Sequence, residues 1–171
     1  DRAPEGVGSR LRLRLPAERA FGTGSHESTR LALRLLLEAD PAGRSVLDVG
    51  TGAGTLALAA RAAGARRAVG FDLDLDAPFV ARTNALRNGI DGCGFWAGIL
   101  SSLAAHARFD LVVANMLQEE VAPLLPGLAA ILPSGGMLVT AGQLAARENE
   151  FLTLLAAAGL RLATRRLART K

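Results

Sequence analysis

The sequence predicts an α/β protein whose sheet is doubly wound, mainly parallel and Rossmann-like, with helices on both faces. Short runs rich in Val, Leu and Phe alternate along the chain with Ala- and Leu-rich stretches of helical length. One such run, at 46–49, also passes through a glycine-rich turn directly into a helix. Because parallel strands need crossover connections, this alternation favours repeated β–α units.

The chain of 171 residues is long enough for one substantial core. Pro123 and Pro126 are expected to make the start of one helix irregular, since proline lacks the amide hydrogen that a helix interior uses. The predicted helices, which end near Gly, Asn or Pro, are 29–39, 55–63, 77–87, 119–132 and 145–158. The predicted strands are the short apolar runs 46–49, 68–71, 94–97, 111–114, 137–141 and 160–164.

The N-terminal part has a pattern of its own. Leu11, Leu13 and Leu15 alternate with arginines, the period-2 pattern of a half-buried strand, and Pro16 ends it. Residues 20–28 are rich in Gly, Ser and Thr and are predicted to form a loop. We therefore expect residues 1–19 to form an N-terminal strand and linker, and residues 20–171 to form the ligand-binding domain.

The composition argues against several classes of site. A single cysteine, Cys93, cannot form an internal disulfide. His26 and His106 lie far apart without ligand spacing, so no metal site is predicted. No apolar run approaches the roughly 18 residues of a membrane span, and the N-terminus lacks the apolar core of a signal peptide. We expect a soluble protein of the cytoplasm, with no membrane partner.

The net charge is +4, and many of the basic residues, nearly all of them arginine, lie near the two ends of the chain. They predict either a surface that faces nucleic acid or the ribosome, or arginines in solvent on edge strands. The second interpretation is favoured, because no aromatic residues interleave with the arginines and the chain has no tyrosine. Direct binding of nucleic acid is therefore not expected.

The glycine turn points to a nucleotide-like ligand. Gly50, Gly52 and Gly54 follow Asp48 in the pattern D-x-G-x-G-x-G, whereas a pyrophosphate-binding turn usually has G-x-G-x-x-G. The turn has no basic residue, and Asp48 is expected beside the ligand, where it disfavours phosphate and tolerates a cation. Asp72 ends the next strand, the place for a carboxylate that bonds both ribose hydroxyls. A ligand with a ribose, a positive charge and no phosphate fits S-adenosylmethionine.

Four segments resemble the PrmA family, bacterial class I methyltransferases that use S-adenosylmethionine to modify ribosomal protein L11. They are FGTGSHEST at 21–29, VLDVGTGAGTLALAA at 46–60, VGFDLD at 69–74 and LVVANML at 111–117. The first is the most discriminating, because class I methyltransferases share the glycine turn. The resemblance implies a class I methyltransferase fold for 20–171, S-adenosylmethionine as cofactor, S-adenosylhomocysteine as product, and a protein substrate such as a ribosomal protein.

The resemblance also implies roles for single residues. Thr29 corresponds to a threonine that contacts the cofactor, Gly50 to the glycine beside its methionine part, and Asp72 to the acid that binds the ribose. Asn115 corresponds to the asparagine at the edge of the methyl-transfer site and is the candidate catalytic residue. From the residues alone, Thr29 could equally cap its helix and Asn115 could be a turn residue. Leu73, next to Asp72, is expected to line the adenine.

The chain departs from the family pattern in several places. Glu27 and Leu75 stand where members commonly have proline, and the third strand ends Ala97-Gly98-Ile99, without the acid that many relatives place near adenine. The family's N-terminal domain, which recognises the ribosomal protein, has no counterpart in these residues. We expect either a catalytic-domain fragment or a compact relative with another substrate.

Methyl transfer from a sulfonium mainly requires a neutral nucleophile that is held in line with the methyl group. A lysine amine, with an ordinary pKa of about 10.4, must first lose a proton. The Asn115 carbonyl is expected to orient the nitrogen, and water is expected to take the proton. Met116-Leu117-Gln118 stands where methyltransferases that act on adenine or glutamine typically have a Pro-Pro-aromatic run, which argues against a DNA-base methyltransferase.

The sequence thus favours a protein N-methyltransferase of PrmA type. Two alternatives stay open, a small-molecule methyltransferase and a non-catalytic module that binds the cofactor or RNA. The presence of Thr29, Asp72 and Asn115 together makes the non-catalytic module the less attractive of the two.

Overall fold

Helices and strands alternate along the computed structural model, which describes residues 12–15 and 26–168. Short 3-10 turns occupy Leu100–Ser102, Ala122–Leu124 and Ala145–Arg147. The α-helices and strands of the described residues are, in chain order, α1 (Glu27–Glu38), β1 (Ser45–Val49), α2 (Thr55–Ala62), β2 (Arg67–Asp72), α3 (Ala77–Arg87), β3 (Cys93–Ala97), β4 (Leu111–Asn115), α4 (Gln118–Val121), α5 (Leu125–Ile131), β5 (Met137–Ala141) and α6 (Glu148–Ala157).

The strands of the described residues form one sheet in the order β3-β2-β1-β4-β5, and every pair is parallel. The chain winds outward from β1 in one direction to β3 and then in the other direction to β5. The doubly wound parallel sheet predicted from the sequence is confirmed. In such sheets ligands bind beyond the carboxyl ends of the strands, where the winding reverses, which here is between β1 and β4.

Helices cover both faces of the sheet, so all five residues of β1 are buried. On one face, Val46 and Val113 share a core with Leu36 of α1 and Leu58 of α2. A second core on the opposite face joins β1 and β4 to α5 and α6, and its buried members include Leu47, Val112, Leu128 and Phe151. The central strand is therefore held rigidly, and the turn that follows it has a fixed base.

The segment 160–164 is not a strand, so that prediction was wrong. Residues of β5 and of this segment line a common cavity of about 890 Å³. The residues after this segment form ion pairs with two helices. Arg165 pairs with Glu148 of α6, and Arg166 pairs with Glu38 of α1. Leu162 of this segment is 54% exposed, so its apolar pattern corresponds neither to a strand nor to a buried face.

The predicted N-terminal strand is also absent from its described part, 12–15, while Leu11 and most of the predicted loop 20–28 lie outside the described residues. The main chain of Arg14 pairs with a side chain: its amide donates to Oδ1 of Asn88 at 2.7 Å, and its carbonyl accepts from Nδ2 at 3.0 Å. Leu13 and Leu15 still pack against the core. The alternating pattern thus predicted burial correctly and strand pairing wrongly.

The helices differ from prediction mainly at their ends. α1 begins at Glu27, two residues before the predicted start. The helix predicted for 119–132 is divided into α4 and α5 by the 3-10 turn that contains Pro123, as the prolines indicated. The helix predicted for 145–158 begins with a 3-10 turn and continues as α6.

Candidate functional site

The turn between β1 and α2 has a backbone that glycine favours at three positions. Gly50, Gly52 and Gly54 have φ values of 68°, 49° and 81°, in the left-handed region. A Cβ on Gly54 would also lie 2.9 Å from the Cβ of Ala81, so this glycine allows α3 to pack against the turn. The alternating glycines therefore fix the path of the turn and the approach of a neighbouring helix.

The main-chain amides of this turn are largely used within the protein. The amides of Gly50 and Thr51 both donate to the carbonyl of Phe71 at 3.0 Å, and that of Gly54 donates to Thr51 at 2.8 Å. The amide of Gly52 donates to Oδ2 of Asp72 at 2.8 Å. A pyrophosphate site needs such amides directed at the ligand, so this turn does not offer a phosphate cradle.

Asp48 lies beneath the glycine turn. Its side chain is buried, with 1% of the residue exposed. Oδ2 accepts from Oγ1 of Thr51 at 2.8 Å and from the amide of Ala57 at 3.1 Å, which places a carboxylate at the N-terminus of α2. Periodicity could not indicate this burial, because every residue of β1 is buried. The position of Asp48 beside the ligand stays a prediction, and the structure shows that its carboxylate is bonded within the protein.

Burial raises the pKa of Asp48 to about 6, because the charged form loses its contact with water. The hydrogen bonds from Thr51 and from the amide of Ala57 oppose this change, and the negative charge of Asp72 adds to it. Asp48 is therefore an anion whose charge is held at a cost to folding.

Gly70 makes room for the hydroxyl that holds Asp48. A Cβ on Gly70 would lie 2.5 Å from Oγ1 and 2.7 Å from Cβ of Thr51, closer than side-chain atoms approach one another. The sequence analysis missed this residue. A glycine in the interior of a strand is a signal of close approach that could have found it.

Asp72 lies at the exposed edge of the sheet, as predicted, and its carboxylate already holds two amides. Oδ2 accepts from Gly52 and Oδ1 accepts from the amide of Asp74 at 3.0 Å. A carboxylate offers about four acceptor positions, so two remain for a ligand's hydroxyl groups. Leu73, next to it, is 73% exposed and can cover a flat apolar ligand. The sequence-predicted residues of β2 thus meet the glycine turn at one edge.

Asn115 and Thr29 meet at the same edge from the other side of β1. Nδ2 of Asn115, at the end of β4, donates to Oγ1 of Thr29 at 3.1 Å. Thr29 is 2% exposed, in the first turn of α1. In this arrangement the amide nitrogen faces Thr29, so the carbonyl oxygen is the end that is directed away from Thr29 and can accept from an incoming amine.

The loop after β4 is fastened to the loop after β5. The amide of Met116 donates to Ala141 at 3.0 Å, and Nε2 of Gln143 donates to the Met116 carbonyl at 3.0 Å. A Cβ on Gly142 would lie 2.5 Å from that carbonyl, so the two loops are in direct backbone contact. The side chain of Met116 in turn covers Gly50, whose Cβ would lie 3.4 Å from its Cγ and Sδ.

These links were not predicted, because they join residues far apart in sequence. Asn84 is a further example: it is fully buried in α3, and its Nδ2 donates to the carbonyl of Ala53 in the glycine turn at 3.0 Å. The sequence analysis found the residues at strand ends and missed those that hold the turn from neighbouring elements.

A histidine and two glutamates near the site hold the ends of helices. His26 caps α1, where its Nδ1 lies 2.7 Å from Oγ of Ser28 and accepts from the amide of Ser28 at 3.3 Å. Glu120 accepts from the amide of Leu117 at 2.8 Å at the start of α4, and Glu119 pairs with Arg147. These residues stabilise the elements at the edge of the site.

Neither a metal site nor a membrane span is found where the structure can be described. Residues 12–15 and 26–168 contain no group of three or more His, Cys, Asp or Glu side chains suited to a metal ion. Over the same ranges, no helix is long and apolar enough to cross a membrane.

The parallel sheet in this order is that of Rossmann-like folds, and solved methyltransferases share it. An RNA methyltransferase from Salinibacter ruber, solved in complex with S-adenosyl-L-homocysteine, is 32% identical with a TM-score of 0.58, over 65% of this chain and 73% of that one. The family model for ribosomal protein L11 methyltransferase (PrmA) matches residues 2–167. The chain belongs to the PrmA family.

Individual relatives agree with this membership. The ribosomal protein L11 methyltransferase of Sorangium cellulosum is 44% identical over 155 residues, which cover 89% of this chain and 48% of the relative. That of Azotobacter vinelandii is 46% identical over 131 residues, or 77% of this chain and 44% of the relative. The chain therefore spans about half the length of these curated relatives.

A solved relative extends the similarity to the whole fold. The crystal structure of a ribosomal protein L11 methylase from Lactobacillus delbrueckii subsp. bulgaricus has a TM-score of 0.87 and 30% identity. It covers 99% of this chain, and this chain covers 86% of it.

Proposed function

We propose that this chain is the S-adenosylmethionine-binding, catalytic part of a methyltransferase that modifies amino groups of a protein, with ribosomal protein L11 as its substrate. The observation that carries the proposal is the meeting of the glycine turn, Asp72 and the Asn115–Thr29 pair at one edge of the sheet. Membership of the PrmA family supports the same activity. The names of the relatives support the substrate, for which the cytoplasm is the expected compartment.

The residues present fit this cofactor better than a dinucleotide. Asp48 occupies the N-terminus of α2, and Gly52 donates to Asp72, so the positions that would hold a phosphate are taken. Asp72 keeps acceptor positions for the two ribose hydroxyls, and Leu73 offers apolar surface to the adenine. The cradle is anionic, which suits a ligand that carries a positive charge.

Asn115 would act on the methyl acceptor. When bound, S-adenosylmethionine supplies a methyl group on a positively charged sulfur, which is already activated toward a nucleophile. The task of the protein is to hold a neutral amine in line with that methyl group, an effect of orientation. The Asn115 carbonyl, oriented through Thr29, would accept a hydrogen bond from the amine. Water would take the amine's proton, since Glu119 and Glu120 are engaged with Arg147 and with the Leu117 amide.

The experiment that tests this proposal has a binding part and a transfer part. The purified chain is titrated with S-adenosylhomocysteine in a calorimeter, and micromolar binding is expected. It is then incubated with radiolabelled S-adenosylmethionine and ribosomal protein L11, total RNA, or a small-molecule extract. Label in the protein supports the proposal. Label in the small-molecule fraction or in the RNA would show that the methyl acceptor is not a protein.

Two results would reject the proposal more broadly. Binding without transfer to any acceptor, with the family's full-length enzyme as a positive control, would favour a non-catalytic module. Tight binding of NAD with no response to S-adenosylhomocysteine would reject the methyltransferase itself.

A further inference from the structure

The outer face of α3 is apolar at positions where a surface helix usually has polar residues. The helix packs on β2 and β3, and the residues that it buries are small or polar: Ala77, Pro78, Ala81, Asn84 and Ala85. Two large apolar side chains point the other way, since Phe79 is 73% exposed and Leu86 is 81% exposed. An amphipathic helix normally turns such residues toward the core, so α3 has the reverse arrangement.

Phe79 and Leu86 lie on the same side of the helix, because their spacing in the sequence corresponds to about two turns, or about 10 Å along the axis. A bound cofactor cannot account for the exposure of both. α3 begins at the cofactor edge, after β2, and Leu86 lies near its far end. Large apolar side chains that share one exposed face indicate contact with another protein surface.

The polar groups beside these two residues are already bonded within the chain. Oγ1 of Thr83, which lies between them on the helix, donates to the main-chain carbonyl of Phe79 at 2.9 Å. The guanidinium of Arg82 is directed toward β3, where it donates to the carbonyl of Phe95. The middle of the face can therefore be covered without leaving the Thr83 hydroxyl unpaired.

Opposite charges stand at the two ends of the face. Asp76 immediately precedes α3 and makes no capping bond through its side chain, and Arg87 is the last residue of the helix. Both are exposed, and neither forms an ion pair within residues 12–15 and 26–168. Helical spacing places the two residues on the same flank of the face. The face is thus acidic at one end, apolar in the middle and basic at the other end.

We propose that the outer face of α3 is a self-association surface, on which a second copy of this chain docks its own α3 in antiparallel orientation. A two-fold axis through the middle of the helix makes such an interface isologous, so Phe79 of each copy packs against Leu86 of the other. The same symmetry brings Asp76 of each copy near Arg87 of the other. A parallel pair would instead place like charges together, so the charges favour the antiparallel orientation.

The size of the face sets the strength of this association. α3 has 11 residues, about three turns, so a pair of these helices buries less than the roughly 1,200–2,000 Å² of a standard stable interface. We therefore expect a weak and reversible dimer, with a dissociation constant on the order of 100 μM. The exposed ion pairs at its two ends are screened by salt, so the dimer should weaken further at high ionic strength.

The experiment measures the mass of the full chain by sedimentation equilibrium at low salt, without cofactor, from about 5 to about 500 μM protein. The average mass should rise from that of the monomer toward that of the dimer. Phe79→Gln removes the central apolar contact and should raise the dissociation constant by about tenfold or more. Leu37→Gln is the matched control, because it removes an exposed leucine from another helix, α1, and should leave the dissociation constant unchanged.

An exchange of charges tests the orientation. Arg87→Asp alone places two carboxylates opposite each other in the antiparallel pair, and Asp76→Arg alone places two guanidinium groups there, so each should weaken the dimer. The double variant restores opposite charges and should regain association. Circular dichroism of each variant checks that α3 stays helical, since arginine at the N-terminus of a helix is slightly unfavourable.

Several outcomes would overturn the inference, and none of them bears on methyl transfer. A monomer at every concentration rejects self-association, and a dimer that Phe79→Gln leaves intact assigns it to another surface. A double charge variant that does not regain association rejects the antiparallel pair. If the chain is monomeric and Phe79→Gln lowers the free energy of unfolding far more than Leu37→Gln does, another segment of the same chain covers the face, and the second copy is rejected.

Discussion

The side-chain amide of Asn115 donates to the hydroxyl of Thr29 across 3.1 Å and thereby joins the end of β4 to the first turn of α1. Thr29 is almost completely buried, so its hydroxyl is in place before any ligand arrives. An amide that must orient an amine gains from such a partner, because the partner limits its rotation. The pair therefore forms one positioning unit.

Replacing Thr29 with valine should slow methyl transfer by about fivefold, since one hydrogen bond contributes about 1 kcal/mol and a tenfold change in rate corresponds to about 1.4 kcal/mol. Valine keeps the volume of the side chain and removes the hydroxyl. Asn115→Ala should slow transfer by more than this, because it removes the carbonyl itself. Single-turnover rates with saturating cofactor measure both effects.

The double variant tests whether the two residues act together. If Thr29 works through Asn115, adding Thr29→Val to Asn115→Ala should change the rate little further. Fully additive losses would show that Thr29 acts on its own, by direct contact with the cofactor. The affinity for S-adenosylhomocysteine, measured on each variant, distinguishes that contact from a general loss of structure.

Most of the residues that the sequence analysis found lie at or just after the carboxyl end of a strand, or in the first turn of a helix that covers the sheet. Asp72 and Asn115 end β2 and β4, and the parallel topology brings such ends together. Local pattern was enough for these positions. It was not enough for Gly70, Met116 or Gln143, whose contacts depend on how neighbouring strands are registered.

Asp72→Asn should weaken binding of S-adenosylhomocysteine by roughly tenfold to a hundredfold, because hydrogen bonds to a charged group contribute about 1.5–3 kcal/mol. Asparagine keeps one acceptor for the amide of Gly52 but replaces the oxygen that accepts from the amide of Asp74. Calorimetric titration measures the change. Asp74→Asn, which alters an exposed carboxylate two residues away, is the control, and an equal loss in both variants would contradict a direct role for Asp72.

Gly70→Ala should destabilise the protein by about 1–3 kcal/mol, because the new methyl group would overlap Thr51 and displace its hydroxyl from Asp48. Urea unfolding measures the change in the free energy of unfolding. Gly94→Ala in the adjacent strand is the matched control, since its Cβ would lie at an ordinary 3.4 Å from Val69. Similar losses in the two variants would show that alanine itself, and not the contact with Thr51, is responsible.

The burial of Asp48 is the part of the site that sequence reasoning did not predict, and the reason is general. Alternation of polar and apolar residues reports which face of a strand is solvated, but a strand covered on both faces has no solvated face. Sequence reasoning therefore interprets a carboxylate within such a strand as a contact with the ligand. In the structure, the Asp48 carboxylate accepts hydrogen bonds from the hydroxyl of Thr51 and from the amide of Ala57 in the first turn of α2.

That burial gives Asp48 a predictable effect on stability. Its pKa rises from an ordinary value of 3.8 to about 6 in the folded chain, so between these values the folded state holds more proton than the unfolded state. The contribution of Asp48 to the free energy of unfolding therefore decreases as the pH rises from about 4 to 6, by about 3 kcal/mol in total. Below pH 4 the penalty is absent, and above pH 6 it is complete.

Asp48→Asn should abolish this particular dependence, because asparagine has no charge to bury. Other carboxylates titrate over part of the same range in the opposite direction, since Asp110 and Glu38 have lowered pKa values through bonds from Ser45 and Arg34. The quantity to measure is therefore the difference in unfolding free energy between the variant and the unaltered chain at each pH. Relative to the unaltered chain, the variant should gain stability as the pH rises through 4–6. A difference that stays constant from pH 4 to pH 7 would contradict the buried, uncompensated charge.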